Sequence, residues 1–395
     1  GKMKKFIKKA GKTVLLIWYR LLLNLPVKKN MIVFDCSIGR NYTGNPRYIY
    51  EYLVEKGLDK KYRCIWLFEN PRTKIPGNAK VIKFRRIRYF YYMAVAGVWI
   101  FDCRQPDFLV KRPEAHYIQT WHGTPLKRLA LDMEIVDMGG ERDIEQYKEN
   151  FRKNTRTWDY LISQNRFSTE IFRRCFDFKK EILEIGYPRN DILFHKNTKE
   201  YQNRLKKELQ IPEDKGVILY APTWRDNEFY EKGQYKFSPA MDFAYLREQL
   251  SDKYVLLVKY HYLIQDKVDW TGYEGFIYKF SAKYDIAELY LLADILITDY
   301  SSVMFDYSVL KRPMLFYCYD YDNYRDNLRG FYFDFEKEAP GPISRTTEEL
   351  VRDIRDRKYQ EYSKQYEAFC RKFNHRDDGR ASERIAKLIE SFQKE

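Results

Sequence analysis

The sequence has no Cys-x-x-Cys pair, no apolar run long enough to span a membrane, no internal repeat and no low-complexity tract. Each absence excludes a class of protein. The six cysteines, Cys36, Cys64, Cys103, Cys175, Cys318 and Cys370, are scattered, most of them within apolar runs such as "VFDC" and "LFYC". That usage reads as reduced core residues of a cytosolic protein, neither disulfides nor zinc ligands. No cleavable signal peptide is visible at the start. No helix-turn-helix, RNA-recognition or zinc-finger spacing occurs, so nucleic acid is not an expected partner.

The N-terminal stretch, "KMKKFIKKAGKTVLLIWYRLLLNLPVKK", needs a separate reading. Its apolar part, Thr13 to Pro26, is broken by Arg20 and Asn24. A spanning helix needs about 20 apolar residues. Lysines flank both ends, and Trp18 and Tyr19 suit an interface. Residues 1–28 are therefore expected to form a basic amphipathic helix lying on an anionic membrane surface. The alternative is a helix packed on the protein's own surface.

What is present is enough for real cores. The chain has 395 residues, 45% of them hydrophobic, with 35 Tyr and 26 Phe. That length predicts two domains and argues against disorder. Lys and Arg total 71 against 56 Asp and Glu, a formal net charge of +15. Such a balance favours polyanions, phosphorylated substrates or anionic membranes, without choosing among them.

From about residue 31, short apolar runs alternate with helical stretches. "MIVFDC", "RCIWLFE", "KVIKF", "GVWIFDC", "HYIQTW" and "WDYLIS" read as parallel strands buried on both faces. After a polar stretch the series resumes with "GVILYAPTW", "KYVLLVKYH", "GFIYKF", "ADILITDYSS" and "PMLFYC". The pattern predicts an α/β protein with two Rossmann-like domains, residues 29–195 and 196–395, whose C-terminal helices can cross back to the first. Ligands of such sheets bind beyond the carboxyl ends of the strands, so the cleft between the domains is the expected site.

Polar residues gather at those strand ends. The first half offers Trp121, His122, Gly123, Thr124, Pro125 and Arg189. The second offers Pro222, Thr223, Arg225, Lys259, His261, Asp299, Ser301, Ser302 and Asp306. Each has a plainer reading. A lone His is commonly structural; Thr124-Pro125 and Ser301-Ser302 can merely start helices; the arginines can form surface ion pairs. Asp320 and Asp322 make a DxD spacing, a weak metal signal. Together they say more. A helix start with free N–H groups, flanked by Arg and Lys, is an anion site. Two His are then left for proton transfer near neutral pH.

The blocks "QTWHGTPLKRL", "GYPRND", "YAPTWRD", "ITDYSSVMFDY", "LKRP" and "RGFYFDFEKEAPGP" together resemble the CDP-glycerol glycerophosphotransferase family, the wall teichoic acid primases and polymerases of Gram-positive bacteria. The resemblance runs in order from about residue 31 to 385. It implies a GT-B architecture with the nucleotide held mainly by the second domain, an N-terminal membrane-attaching segment, and a peripheral place on the cytoplasmic face of the membrane. It places the donor site on His122 to Pro125, Arg189, Pro222, Thr223, Lys259, His261, Ser301, Ser302 and Asp306. One departure stands out. The family pattern has Arg where this chain has Lys259, which keeps the charge but loses the bidentate fork.

The resemblance implies transfer of glycerol phosphate from CDP-glycerol to a hydroxyl of an acceptor, releasing CMP. The acceptor is expected to be an undecaprenyl-diphosphate-linked disaccharide, bare or already carrying glycerol phosphate. His122 is the candidate general base. His261 stabilises or protonates the leaving phosphate. Arg189, Lys259 and the Ser301-Ser302 helix start hold the diphosphate, and Thr223 and Arg225 help bind donor phosphate or nucleotide. No cofactor and no metal is expected. A CDP-ribitol transferase and a non-enzymatic binder of anionic polymer are the rivals. A homo-oligomer is left open, and the chain length favours a primase or short-chain enzyme.

Overall fold

The computed structural model describes residues 1–134, 143–223, 241–259 and 269–395 in full, and within 224–240 the backbone of two short strands. The chain divides into two compact units. One comprises residues 1–122, 129–191 and 380–395; the other comprises 123–128 and 192–379.

The first unit is built on seven strands: β1 (Lys28–Asp35), β2 (Arg63–Phe68), β3 (Lys80–Lys83), β4 (Ala96–Phe101), β5 (His116–Gln119), β6 (Tyr160–Ser163) and β7 (Glu181–Glu184). Their order is β3-β2-β1-β4-β5-β6-β7, every pair parallel. Strand order reverses between β1 and β4, which makes that pair the switch point. A Cβ on Gly97 would lie 2.6 Å from the carbonyl oxygen of Lys28, so only glycine lets β4 close on β1 here. Aromatic rings fill the core: Phe34 stacks on Trp66 at 5.2 Å, and Tyr50 meets both edge-on. The last helix, Ala381–Gln393, adds Ile385, Ile389 and Phe392 to this core beside Ile49 and Leu53 of helix Gly44–Glu55.

The second unit repeats the plan. Its strands are β8 (Gly216–Tyr220), a two-stranded antiparallel hairpin of β9 (Phe229–Tyr230) and β10 (Gln234–Tyr235), then β11 (Tyr254–Lys259), β12 (Ile277–Phe280), β13 (Ile295–Thr298), β14 (Met314–Tyr317) and β15 (Ile343–Ser344). The main sheet runs β12-β11-β8-β13-β14-β15, again all parallel, with its switch point between β8 and β13. Ile218, Leu256, Ile297 and Leu315 pack there against Leu350, Val351 and Ile354 of helix Thr347–Arg355. Two Rossmann-like units are what the alternating pattern predicts. The two-residue strand β15 is too short to leave a pattern.

One local expectation is corrected. The stretch after Pro125 does not form a helix. Leu126 accepts a hydrogen bond from the Tyr332 N–H at 3.0 Å, and Lys127 bridges antiparallel to Phe331, so the backbone is spent on extended pairing. Only a 3₁₀ turn, Ala130–Asp132, follows. The N-terminal helix, Lys2–Leu22, packs one face on its own protein. Tyr19 and Leu22 are buried, the Tyr19 hydroxyl accepts from the Val110 N–H at 2.9 Å, and its ring lies 5.7 Å from Phe90. Met3, Ile7, Val14, Trp18 and Leu21 recur at helical spacing on another face and are exposed. Among the described residues no helix is long and apolar enough to cross a membrane.

Candidate active site

In the first unit the chain leaves β5 through Thr120 and Trp121. Trp121 has a φ of 53°, left-handed for a bulky residue. That conformation persists only where its surroundings enforce it. They do. The Trp121 N–H donates to the Gln119 side-chain oxygen at 2.9 Å, its carbonyl accepts from the Thr120 hydroxyl at 2.8 Å and from the Asn45 amide at 3.2 Å. Its indole packs on Phe176 at 4.9 Å and Trp158 at 6.1 Å. The turn aims His122 outward, its imidazole stacked on the Trp121 ring at 4.5 Å.

Arg189 meets the same turn. Its guanidinium donates to the His122 carbonyl at 2.8 Å, and its backbone N–H donates to the Asn45 side-chain oxygen at 3.1 Å. One buried amide, Asn45, thus ties Trp121 and Arg189 together. Trp121, His122 and Arg189, predicted separately, form one hydrogen-bonded frame. The His122 ring touches solvent, yet surrounding protein holds its pKa below the ordinary imidazole value; Asp102 pulls it up and Arg189 pushes it down. A neutral imidazole at pH 7 is an acceptor of protons.

Sequence reasoning missed Asn45 and a buried acid pair. Asp35 ends β1 and Asp102 follows β4, at the switch point. Asp102 accepts the Ser37 N–H at 2.9 Å and the Cys36 thiol at 3.2 Å. Burial, and next the charge of Asp102, push the Asp35 carboxyl well above the carboxylate range. Burial and Asp102 likewise push the Cys36 thiol up, which keeps it a donor. The signal was available: "FDC" ends both β1 and β4, at residues 34–36 and 101–103.

In the second unit the site residues stand at the ends of three adjacent strands, β11, β8 and β13. Pro222 and Thr223 follow β8. The Thr223 N–H donates to both oxygens of Asp299, each at 3.0 Å, and its hydroxyl to the Tyr300 carbonyl at 3.4 Å. Ser301 and Ser302, next along the chain, are half-buried. The helix they precede, Val303–Tyr307, is only five residues long. Ser301 accepts the Val303 N–H at 3.4 Å, and Ser302 makes no cap hydrogen bond. Asp306 is buried within that helix. Gly123, Thr124 and Pro125 are buried and belong to this unit.

Lys259 ends β11, where its ammonium donates to the Tyr284 carbonyl. Burial pushes its pKa down to about 8, with Asp285 opposing. Arg225 and His261 lie outside the described residues. Among the described residues no three His, Cys, Asp or Glu side chains gather as a metal group. Of the DxD pair, Asp322 takes Arg345 in a surface ion pair at 3.4 Å, and Asp320 occupies an N-cap position without capping.

Known proteins share this sequence and this fold. The sequence profile of the CDP-Glycerol:Poly(glycerophosphate) glycerophosphotransferase family matches residues 17–391. The teichoic acid poly(glycerol phosphate) polymerase of Bacillus spizizenii is 46% identical over 375 residues, covering 94% of this chain and 95% of the relative. The teichoic acid glycerol-phosphate transferase of Staphylococcus aureus is 43% identical, covering 98% of this chain and 99% of the relative. The structure of the wall teichoic acid polymerase TagF superposes with a TM-score of 0.92 at 43% identity, over 100% of this chain and 97% of that one. The chain belongs to the CDP-glycerol:poly(glycerophosphate) glycerophosphotransferase family.

Proposed function

We propose that the chain transfers glycerol phosphate from CDP-glycerol to a hydroxyl of a growing teichoic acid acceptor and releases CMP. The observation that carries this reading is the Trp121–His122–Arg189–Asn45 frame, present in a chain of this family. The relatives above are polymerases and transferases of glycerol phosphate, and a His-to-Asn variant of TagF has been solved after soaking with CDPG.

His122 takes the proton from the attacking hydroxyl as its oxygen bonds to the glycerol-side phosphorus. The bond from that phosphorus to the bridging oxygen breaks, and the electron pair leaves with CMP. Arg189 fixes the carbonyl of His122, and Asp102 sustains the basicity of its ring. Lys259, Thr223 and Ser301-Ser302 supply charge and donors for the diphosphate, with His261 and Arg225 assigned to the leaving phosphate and the nucleotide. Catalysis of this kind is mostly positioning and electrostatics.

The acceptor is lipid-linked, and the protein works peripherally on the cytoplasmic face of the membrane. The exposed stripe of Met3, Ile7, Val14, Trp18 and Leu21, set among lysines, supports that placement. The test is CMP release from CDP-glycerol with lipid-linked and with soluble acceptors, product length being read from the same reactions. Relatives named for ribitol phosphate are 30–31% identical and the glycerol-phosphate primases 30–34%, against 43–46% for the poly(glycerol phosphate) polymerases and the glycerol-phosphate transferase, which favours the glycerol donor.

A further inference from the structure

The N-terminal helix has a second feature. Lys8, Lys12, Leu15, Tyr19 and Leu22 fall on one helical stripe, at successive spacings of four, three, four and three. The downstream half of that stripe is apolar and packs on the protein. The upstream half hangs Lys8 and Lys12 over a cavity of about 1190 Å³. Leu15, Ile82, Phe90 and Phe108 supply apolar surface to it, and Lys83, at the end of β3, lines it together with Arg85, Arg86 and Arg88 from the segment that follows.

Six cations therefore line this groove from two walls, with no carboxylate among its described lining residues. Among the described residues none of the six has an ion-pair partner. Lys83, Arg85, Arg86 and Arg88 are exposed. An apolar floor asks for hydrocarbon, and unpaired cations at its rim ask for an anion. A single ligand answers both: an amphiphile with a phosphate head.

Position says which one. All seven strands of this sheet are parallel, so the end of β3 and the end of β5 lie along the same edge. Three strands separate them, which puts the groove about 19 Å along the sheet from His122 at the usual strand spacing. That is the reach of a short glycan, and it leaves a lipid in the groove with its far sugar at the base.

We propose that this groove holds the lipid end of the acceptor: hydrocarbon along Leu15, Ile82, Phe90 and Phe108, and the lipid diphosphate against the Lys83–Arg88 wall and Lys8 and Lys12. The proposal rests on the reading that the acceptor is lipid-linked. It makes the helix part of an acceptor site as well as a membrane contact.

The test uses the full chain and geranylgeranyl diphosphate as probe, with geranylgeraniol, inorganic pyrophosphate and phosphatidylglycerol vesicles as separate arms. The diphosphate lipid should bind more tightly than either of its halves. Lys83→Glu/Arg85→Glu/Arg88→Glu should weaken it at least tenfold. Lys8→Glu/Lys12→Glu, on the opposite wall, should do the same independently. The ratio of kcat/KM for a lipid-linked acceptor to that for a short soluble acceptor should fall at least tenfold in both variants. Unchanged probe affinity or an unchanged ratio overturns the proposal. So does loss of vesicle binding with probe affinity intact, which would make the groove a bilayer contact only. Absence of CMP release with every glycerol-phosphate acceptor would instead sink the proposed function.

Discussion

The guanidinium of Arg189 donates to the carbonyl oxygen of His122 at 2.8 Å. The contact joins the end of the β5 strand to the turn after β7, and it leaves the His122 imidazole outside the bond. Arg189 therefore fixes the base through its backbone while its positive charge lowers the pKa of the ring. Arg189→Lys keeps charge but loses the fork. Turnover should fall at least tenfold, with melting temperature near wild type. Steady-state CMP release with thermal unfolding checks both.

Asn45 is the hidden member of the frame. Asn45→Ala leaves the Trp121 carbonyl without its second donor and the Arg189 N–H without an acceptor. Leaving such groups unsatisfied costs about 1–3 kcal/mol. Stability in urea should drop by that amount, and kcat should fall because the left-handed turn at Trp121 is no longer held. An unfolding curve and kcat equal to wild type would remove Asn45 from the account.

Asp102 raises the pKa of His122, against the burial that lowers it. Asp102→Asn removes that upward pull, so the His122 pKa should fall further. The acid limb of the kcat/KM profile should move to lower pH. A pH–rate series from 5 to 9 on wild type and variant reads this directly, and a limb that stays in place or moves up contradicts the coupling.

Much of the fold was legible, because buried parallel strands write themselves as continuous apolar runs. "GVWIFDC" and "ADILITDYSS" needed no structure to be read as strands. The site was legible in part. His122 and Arg189 stand out because polar residues directly after apolar runs end strands. Asn45 does not. It sits on helix Gly44–Glu55, far from both residues it joins, and only the sheet brings it to them. The helix expected after Pro125 failed for a similar reason: Tyr332 and Phe331, some two hundred residues on, claim its backbone.

Lys259 carries a pH dependence of its own. Its folded pKa is about 8, below the ordinary lysine value of 10.5. Between those values the unfolded chain binds a proton that the folded chain has released. The contribution of Lys259 to stability therefore rises as pH rises through that window. Donor binding runs the other way, since only the ammonium neutralises a diphosphate. The KM for CDP-glycerol should climb above pH 8 in wild type and climb less in Lys259→Arg, whose side chain stays charged. Parallel profiles would show that Lys259 does not meet the donor.

The central claim is that His122 drives glycerol phosphate transfer from CDP-glycerol. The most direct measurement is acceptor-dependent CMP release with CDP-glycerol and, side by side, CDP-ribitol, for wild type and folded His122→Ala. The account predicts release from CDP-glycerol in preference to CDP-ribitol. It also predicts a loss of about 10² to 10⁴-fold in turnover in the variant, the range for a general base, with donor affinity falling less. Preference for CDP-ribitol, or near-normal turnover in His122→Ala, would contradict it.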